Sequence, residues 1–285
     1  MTSKHANITD TFTVKPSSMK EKQLKISLST SSVNPLDVKV AFNAAKLVGY
    51  DGVELMISPS KLTQDLSYVQ QLIDEMEMPV TSVHAPTLLL CKFVWGTGPE
   101  GKLTKSVDFA RNIGADTVVV HPPFKTNHYA HHFIDIANKL TRENPVDVAI
   151  ENMFPWMVKG REVQMYGPSW EETCEKADHL TFDFSHAALS DMDVMSFFNK
   201  YWHKVRVIHF TDGSKRNRMK GDAIKDEHML PGEGDMPLKE VYSLLKEKGW
   251  EGQTVLEINT RKHRTITNKL PALSQSLEYF HSIAD

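Results

Sequence analysis

The chain has 285 residues, a hydrophobic fraction of 40% and a formal net charge of −3. This length and apolar content suffice for one large core, and the charge gives no basic surplus of the kind that neutralises nucleic-acid phosphates. The two cysteines, Cys91 and Cys174, lie far apart and form no C-x-x-C pair. They exclude a disulfide-rich scaffold and indicate a reducing compartment.

The first 22 residues are polar and mix basic with acidic side chains. They contain no apolar run of the kind a signal peptide needs, so we predict a loose tail over residues 1–22 and one folded domain over residues 23–285. No stretch elsewhere approaches the ~20 consecutive apolar residues of a membrane helix. We therefore expect a soluble, cytoplasmic protein with no membrane partner.

From Leu24 onward, short apolar runs rich in β-branched residues alternate with longer segments of helical period, which is typical of βα units around a parallel sheet. Eight strands are predicted, at residues 24–29, 52–57, 80–84, 116–121, 146–151, 179–183, 205–210 and 254–259. Helix boundaries also carry signals: Gly49 and Gly114 suit helix C-termini, and Ser169 with Glu172 suits a capping box. The pattern favours a single closed (β/α)₈ barrel, with a doubly wound sheet as the alternative.

Six consecutive predicted strands carry a side chain that can bind a metal at their last residue or within two residues of it, namely His84, His121, Glu151, Asp183, His209 and Glu257. Because the carboxyl ends of barrel strands surround one mouth, we expect these side chains to converge. Any one of them alone is more often a hydrogen-bonded histidine or a solvated carboxylate. Converging buried carboxylates, however, have raised pKa values unless a cation neutralises them. The set of six therefore predicts a divalent-metal site.

Three further residues of ligand type follow these strands. His186 lies just beyond the sixth strand, and Asp226 and His228 form a D-x-H pair in the long loop after the seventh. Gly232 and Gly234 later in that loop permit the sharp turns that would return it to the mouth. The alternative for Asp226 and His228 is a solvated run of charges, because several charged residues flank them.

Short motifs follow one another along the chain: GYDGVEL at 49–55, VHAP at 83–86, VHP at 120–122, IEN at 150–152, FDFSHA at 182–187, HFTD at 209–212, DEH at 226–228 and PGEG at 231–234. In this order they resemble the xylose isomerase-like barrel superfamily, in particular its sugar phosphate isomerase/epimerase and endonuclease IV branches. The resemblance covers nearly the whole chain from Leu24 onward. It implies a TIM barrel with a divalent-metal cofactor.

For the isomerase and epimerase branch, the resemblance implies one divalent ion, held by Glu151, Asp183, His209 and Glu257. For the endonuclease IV branch it implies three zinc ions. The first would be held by His84, His121 and Glu151, the second by the four residues above, and the third by His186, Asp226 and His228. We therefore expect one to three ions per chain, Zn²⁺ or Mn²⁺ first and Mg²⁺ or Co²⁺ as alternatives.

Loops after the third, fourth and fifth strands depart from the family patterns. The repair enzymes carry aromatic or small residues there, where this chain has residues 87–90, Pro123 with Phe124, and residues 153–157. Ketose epimerases place a second glutamate at the position of Met157. The loops that would enter a DNA groove are thus not recognisable. These differences favour the isomerase and epimerase branch, and they argue against duplex DNA as a partner.

We therefore expect an isomerase or epimerase acting on a small sugar, sugar phosphate or related hydroxy-carbonyl compound through an enediolate. In this hypothesis Glu151 and Glu257 move the proton, and His186 orients a substrate hydroxyl or binds a further ion. Trp156 would line a sugar face, and Lys215 and Arg216 would hold a phosphate or carboxylate.

Two other classes of function stay open. The first is a metal-dependent phosphodiesterase of the endonuclease IV type, acting on abasic duplex DNA or another phosphoester, for which the complete set of nine ligand positions speaks. The second is a sugar-binding module without catalysis. The sequence leaves the oligomeric state, the substrate and the identity of the metal open.

Overall fold

The structure is a computed structural model that describes residues 24–86, 91–215, 219–220, 223–224 and 226–284. The predicted tail over residues 1–22 lies outside the described residues. Eight parallel strands are present in the barrel: β1 Ile26–Ser29, β2 Gly52–Met56, β3 Val80–His84, β4 Thr117–Val120, β5 Asp147–Glu151, β6 His179–Asp183, β7 Val205–Phe210 and β8 Gln253–Leu256. Each strand pairs with the next along the chain, and β8 pairs with β1. This closure confirms the predicted barrel and excludes the doubly wound sheet.

Helices pack around the strands in the described part of the chain. They are α1 Val38–Val48, α2 Leu66–Met76, α3 Pro99–Ile113, α4 Phe133–Glu143, α5 Trp170–Lys176, α6 Phe184–Leu189, α7 Val194–Tyr201, α8 Leu238–Lys248 and α9 Ile266–Ala284. The predicted boundary signals are confirmed: Gly49 and Gly114 are left-handed C-caps, and Ser169 Oγ accepts the Glu172 N–H at 3.2 Å. No helix in the described ranges is long and apolar enough to cross a membrane.

The inside of the barrel is built in layers. Val119, Val207 and Val255 form a fully buried apolar cluster that is separate from the core between strands and helices. Side chains on a strand alternate between its two faces, so residues two positions apart share one face. The three valines therefore lie one layer below the positions two residues further on, which are His121, His209 and Glu257. The apolar layer closes the barrel beneath the mouth.

The eighth strand ends three residues earlier than predicted. It was expected to reach Asn259, but strand pairing stops at Leu256. Loop groups take over from there: the Ile258 N–H donates to Ser32 Oγ at 3.0 Å, and the Asn259 N–H donates to the His228 carbonyl at 2.8 Å. Glu257 thus lies in the β8–α9 loop, one residue beyond the strand.

The loops after β5 and β7 contain short antiparallel strand pairs that the sequence pattern did not predict. Trp156–Val158 pairs with Arg161–Val163, and Met219–Lys220 pairs with Ala223–Ile224. At the start of the β7–α8 loop, the Asp212 carboxylate accepts backbone N–H groups from Gly213, Gly232, Gly234 and Met236 at 2.9–3.1 Å. This carboxylate folds the loop back onto the end of β7, as the glycines in the sequence had predicted.

Gly52 in β2 gives a test of how tightly the barrel is packed. A Cβ atom there would lie 2.7 Å from Thr81 Cγ2 and 3.0 Å from the Pro79 carbonyl oxygen. We expect Gly52→Ala to lower the free energy of unfolding by about 1–3 kcal/mol through overpacking. Gly101 in α3 has nothing within 4 Å of such a Cβ. The control Gly101→Ala should raise stability by about 0.5–1 kcal/mol, because alanine favours the helix.

Urea unfolding at equilibrium measures both variants. Equal stability of Gly52→Ala and the unmodified chain would contradict the close packing of β1, β2 and β3 at this position.

Candidate metal centre

All nine predicted ligand residues meet at the carboxyl ends of the strands. Four of them, His84, Glu151, Asp183 and His209, end or nearly end β3, β5, β6 and β7, and every one of these four is buried. The other five lie at the same mouth, His186 in the first turn of α6 and the rest in loops: His121, Asp226, His228 and Glu257. Topology alone brings them together, because parallel strands of one barrel all end at one rim. Their roles as ligands stay a prediction.

A central group of three carboxylates surrounds one nitrogen of His209. The Nδ1 atom lies 3.3 Å from Glu151 Oε1, 3.4 Å from Asp183 Oδ2 and 3.0 Å from Glu257 Oε2. Ligands bound at ~2.0–2.2 Å to one tetrahedral ion lie roughly 3.3–3.5 Å from one another. The separations from Glu151 and Asp183 agree with this spacing, and the 3.0 Å contact with Glu257 is slightly shorter.

Several atoms of the central group have no hydrogen-bond partner among the described residues. They include Asp183 Oδ2 and both ring nitrogens of His209, and all three atoms are buried. Buried polar atoms without partners are rare, because each costs the free energy of its lost hydration. A divalent ion would satisfy the oxygen and Nδ1 at once. The residues present therefore fit such an ion.

A second group shares Glu151 with the first. Glu151 Oε2 lies 3.3 Å from His84 Nε2 and 3.1 Å from His121 Nε2. The Nδ1 of His84 lies 3.0 Å from the Ala85 carbonyl, which can only accept a hydrogen bond. This contact places the ring proton on Nδ1 and leaves the Nε2 lone pair free for an ion.

A third group forms around Asp226, and its histidines are oriented in the same way. Asp226 Oδ2 lies 3.3 Å from His186 Nε2 and 2.7 Å from His228 Nε2. The Nδ1 atoms of the two rings donate to the carbonyls of Asn152 at 2.9 Å and Glu257 at 3.2 Å. The alternative for Asp226 and His228, a solvated run of charges, does not describe these contacts. Both residues belong to the mouth.

The metal-free centre balances its carboxylates with protonated rings. Burial lowers the pKa of each histidine, but nearby carboxylates outweigh burial and raise the pKa of His84 to about 8 and that of His228 to about 10. For His121 burial prevails, and its pKa is lowered. Burial would raise the pKa of Glu151, yet His121 and His209 hold it well below the usual range. A divalent ion would displace ring protons, since histidine binds metals as the neutral base.

Supporting side chains around the centre were not predicted from sequence. Ser31 Oγ donates to Glu257 Oε1, and Ser185 Oγ donates to Asp226 Oδ1, both at 2.7 Å. Glu54 in β2 is fully buried, with Oε1 3.3 Å from His209 Nε2. The available signal for Glu54 was its place in the GYDGVEL motif. It was missed because only side chains near strand ends were considered as ligands, and Glu54 lies in the middle of β2.

The three residues predicted to contact substrate differ in their placement. Trp156 starts the strand pair after β5, and its ring packs edge-on against Phe124 at 5.6 Å. Phe154 lies nearer the centre, with its ring centroid 5.0 Å from that of His186. Lys215 Nζ forms an exposed salt bridge with Asp191 Oδ1 at 2.7 Å. Asp191 lies between α6 and α7, so this ion pair directs the Lys215 ammonium toward that connection and not toward the metal centre.

Arg216 lies outside the described residues. The prediction that Lys215 and Arg216 hold an acidic group of the substrate therefore stays a prediction.

The chain belongs to the xylose isomerase-like TIM barrel family, which it matches over residues 42–283. An uncharacterized protein of Mycobacterium tuberculosis is 36% identical, over 90% of this chain and 96% of that protein. A fructoselysine 3-epimerase of Shigella flexneri is 37% identical over 24% of this chain and 21% of that protein. The family and this local similarity support an enzyme of the isomerase or epimerase type.

Solved structures share the fold. The crystal structure of the IOLI protein with a bound zinc atom aligns with a TM-score of 0.69 and 15% identity, over 92% of this chain and 98% of that chain. At this identity the similarity shows a common barrel and no more.

Metal binding should be visible as a gain in stability. We expect Zn²⁺ or Mn²⁺, added to metal-free protein at 100 times its dissociation constant, to stabilise the fold by about 2.7 kcal/mol. Asp183→Ala removes one central ligand and should abolish most of this gain. Asp147 lies at the opposite end of the barrel, where it faces His179 and Arg206. The control Asp147→Asn should keep the gain.

Thermal unfolding, followed by circular dichroism with and without the ion, measures the effect. An equal shift in Asp183→Ala and the unmodified chain would place metal binding elsewhere on the protein.

Proposed function

We propose that this member of the xylose isomerase-like TIM barrel family is a divalent-metal-dependent isomerase or epimerase. Its substrate would be a small sugar, sugar phosphate or related hydroxy-carbonyl compound. The central group of Glu151, Asp183, His209 and Glu257 carries the proposal, because its buried ligand atoms face one another at metal-ligand spacing. The local similarity to a fructoselysine 3-epimerase supports the type of substrate.

A divalent ion held by the central group would polarise a substrate carbonyl as a Lewis acid and keep the nearby carboxylates ionised. Zn²⁺ and Mn²⁺ are the ions we favour. The side chains of the mouth supply the remaining functions, which are proton transfer, orientation of hydroxyl groups and exclusion of water.

Glu151 is poorly placed to move a proton. Its Oε1 faces His186 Nδ1 at 3.2 Å and His209 Nδ1 at 3.3 Å, while its Oε2 faces two further imidazoles. Its side chain is 1% exposed. With both oxygens surrounded by rings, Glu151 suits the role of a shared ligand better than that of a base.

Glu257 is better placed for proton transfer. Its Oε2 faces His209, its Oε1 accepts a hydrogen bond from Ser31 Oγ, and its side chain is 10% exposed. We assign Glu257 as the base that takes the proton from the carbon beside the carbonyl. The electron pair of the broken C–H bond then forms the carbon–carbon double bond of the enediolate. The same carboxyl returns the proton to the neighbouring carbon on the same face, which completes an isomerisation, whereas an epimerisation needs a second proton donor on the opposite face of the enediolate. Ser31 would hold Oε1 in place during both steps.

Other groups at the mouth would position the substrate. His186 keeps its Nε2 toward the mouth because its Nδ1 is held by the Asn152 carbonyl. Phe154 beside His186, followed by Trp156, would offer an apolar wall to one face of a sugar. In this proposal His186 orients a hydroxyl group when no ion occupies the third group.

Glu257→Gln tests the assignment of the base. We expect this variant, assayed in excess metal because the amide is also a weaker ligand, to lose about 10²–10⁴-fold in turnover, since the amide cannot accept the proton. Ser31→Ala should show a smaller loss. The matched control is Glu278→Gln on the exposed face of α9, which should keep full activity. Exchange of substrate carbon-bound hydrogen with deuterated water, followed by NMR over a panel of ketoses, aldoses and their phosphates, gives the readout.

Full exchange by Glu257→Gln would show that another group is the base. If the unmodified, metal-loaded chain exchanged hydrogen with no member of the panel, the isomerase proposal itself would fail.

A second candidate function is a metal-dependent phosphodiesterase of the endonuclease IV type. The observation in its favour is that the residues of all three groups lie together at the mouth, with Glu151 shared between the first two. Several ions around one phosphate could activate a water molecule and stabilise the leaving oxygen. The altered loops after β3, β4 and β5 speak against duplex DNA as the substrate.

Abasic DNA separates the two candidates. We expect the metal-loaded protein to leave an abasic duplex and bis(p-nitrophenyl) phosphate intact while it exchanges substrate hydrogen. Protein loaded with three equivalents of Zn²⁺ is the strictest sample, since it satisfies the phosphodiesterase requirements. Cleavage of either phosphodiester by this sample, lost in His228→Ala, would reverse our preference.

A further inference from the structure

We infer that Glu54 is a positioning residue for the centre: its carboxylate receives the Nε2–H of His209 and thereby directs the Nδ1 lone pair toward Glu151, Asp183 and Glu257. The inference rests on the proposed function in one respect, which is that the central group binds a divalent ion. It adds a residue that touches none of the reacting atoms.

The position of Glu54 is set by β2 and β3. Its side chain is fully buried inside the barrel, and Ser82 Oγ of β3 donates to Glu54 Oε2 at 2.8 Å. The other oxygen, Oε1, lies 3.3 Å from His209 Nε2. By hydrogen-bond geometry neither Oε1 nor Nε2 has a partner among the described residues, and the ion-pair contact between them is the polar contact that each atom makes there. The two atoms therefore face each other across the barrel, beneath the carboxylates.

The surroundings of His209 fix which nitrogen must carry the proton when an ion is bound. Its Nδ1 is surrounded by three carboxylate oxygens, so this nitrogen is the one that can serve as a ligand. A neutral imidazole with a free Nδ1 lone pair has its proton on Nε2. That proton points into a buried space where Glu54 offers the acceptor. Without Glu54, the N–H would be buried and unpaired.

His209 differs in this respect from three other histidines of the centre. The Nδ1 atoms of His84, His186 and His228 lie 2.9–3.2 Å from backbone carbonyl oxygens. Their Nε2 atoms face the carboxylates of Glu151 or Asp226. His209 uses the opposite nitrogen and faces a carboxylate. A carboxylate is a stronger acceptor than a carbonyl, and it raises the basicity of the ring as a metal ligand. The central ion should therefore be the most tightly bound.

The cost of burying Glu54 supports a role beyond packing. Among the described residues, Ser82 is the one group that donates a formed hydrogen bond to its carboxylate. A buried carboxylate with so few donors destabilises a fold unless an opposite charge or a further donor faces it. An apolar side chain at this position would fill the same space at lower cost. Orientation of His209 is what the carboxylate adds.

The test compares Zn²⁺ binding by the full-length chain, Glu54→Gln and Glu54→Leu, with Asp147→Asn as a control that also removes a carboxylate facing a histidine. Competition with a chromophoric chelator gives the dissociation constant, and elemental analysis gives the stoichiometry. We expect Glu54→Gln to bind the tightest ion 10–100-fold more weakly at unchanged stoichiometry, and Glu54→Leu to bind it more weakly still. Asp147→Asn should stay within threefold of the unmodified chain.

A second readout separates orientation from general damage to the fold. In Zn²⁺-loaded protein labelled with ¹⁵N-histidine, we expect a slowly exchanging His209 Nε2–H that is lost in Glu54→Leu. The metal-free variants are expected to unfold at a lower temperature than the metal-free parent, because His209 loses its buried partner, so affinities are compared on samples that circular dichroism shows to be folded. Should both substitutions prevent folding, Glu54→Asp keeps the charge at a greater distance and is expected to show the weaker binding.

Unchanged Zn²⁺ affinity in Glu54→Gln would overturn the inference. So would the loss of one equivalent of Zn²⁺, which would make Glu54 a direct ligand. Failure of the proposed function is distinguishable: a parent chain that binds Zn²⁺ tightly but exchanges no substrate hydrogen refutes the isomerase while leaving Glu54 in its role. A parent chain that binds no Zn²⁺ at all refutes both.

Discussion

The balance of buried charge is the constraint on which this mouth depends. Glu54, Glu151, Asp183 and His209 are all buried within one barrel, where water cannot solvate them. Isolated charges in such surroundings would be costly, and like charges side by side would be more costly still. The contacts between imidazoles and carboxylates relieve this cost in the metal-free protein. A divalent ion would relieve it more completely, since it would also satisfy atoms that have no partner among the described residues.

The barrel provides the geometry that this balance requires. Closure of eight strands brings their ends together, and the alternation of side chains places small apolar residues such as Val119, Val207 and Val255 beneath the ligands. Loops complete the centre. The Asp212 carboxylate gathers four backbone N–H groups and folds the β7–α8 loop back against the end of its strand. Fold and site are thus coupled through hydrogen bonds that no single helix or strand provides.

The strand endings could be predicted from sequence because topology alone makes them converge. Correct strand boundaries were enough to predict the positions of His84, Glu151 and Asp183. Glu257 lies only one residue beyond its strand, so an error of one or two residues in that boundary did not hide it. The contacts of Glu54 and Ser31 could not be predicted, because they depend on partners that are 155 and 226 residues away in the chain and on which oxygen faces which ring. The unequal surroundings of Glu151 and Glu257 likewise emerge only in three dimensions.

Anomalous X-ray diffraction from crystals grown with Zn²⁺ tests the central claim most directly, because it locates each ion independently of any activity. The expected result is a strong peak enclosed by Glu151, Asp183, His209 and Glu257, with any weaker peaks at the two flanking groups. Crystals whose strongest anomalous peak lies outside the mouth, with none among these four residues, would contradict the assignment of this site as a metal centre.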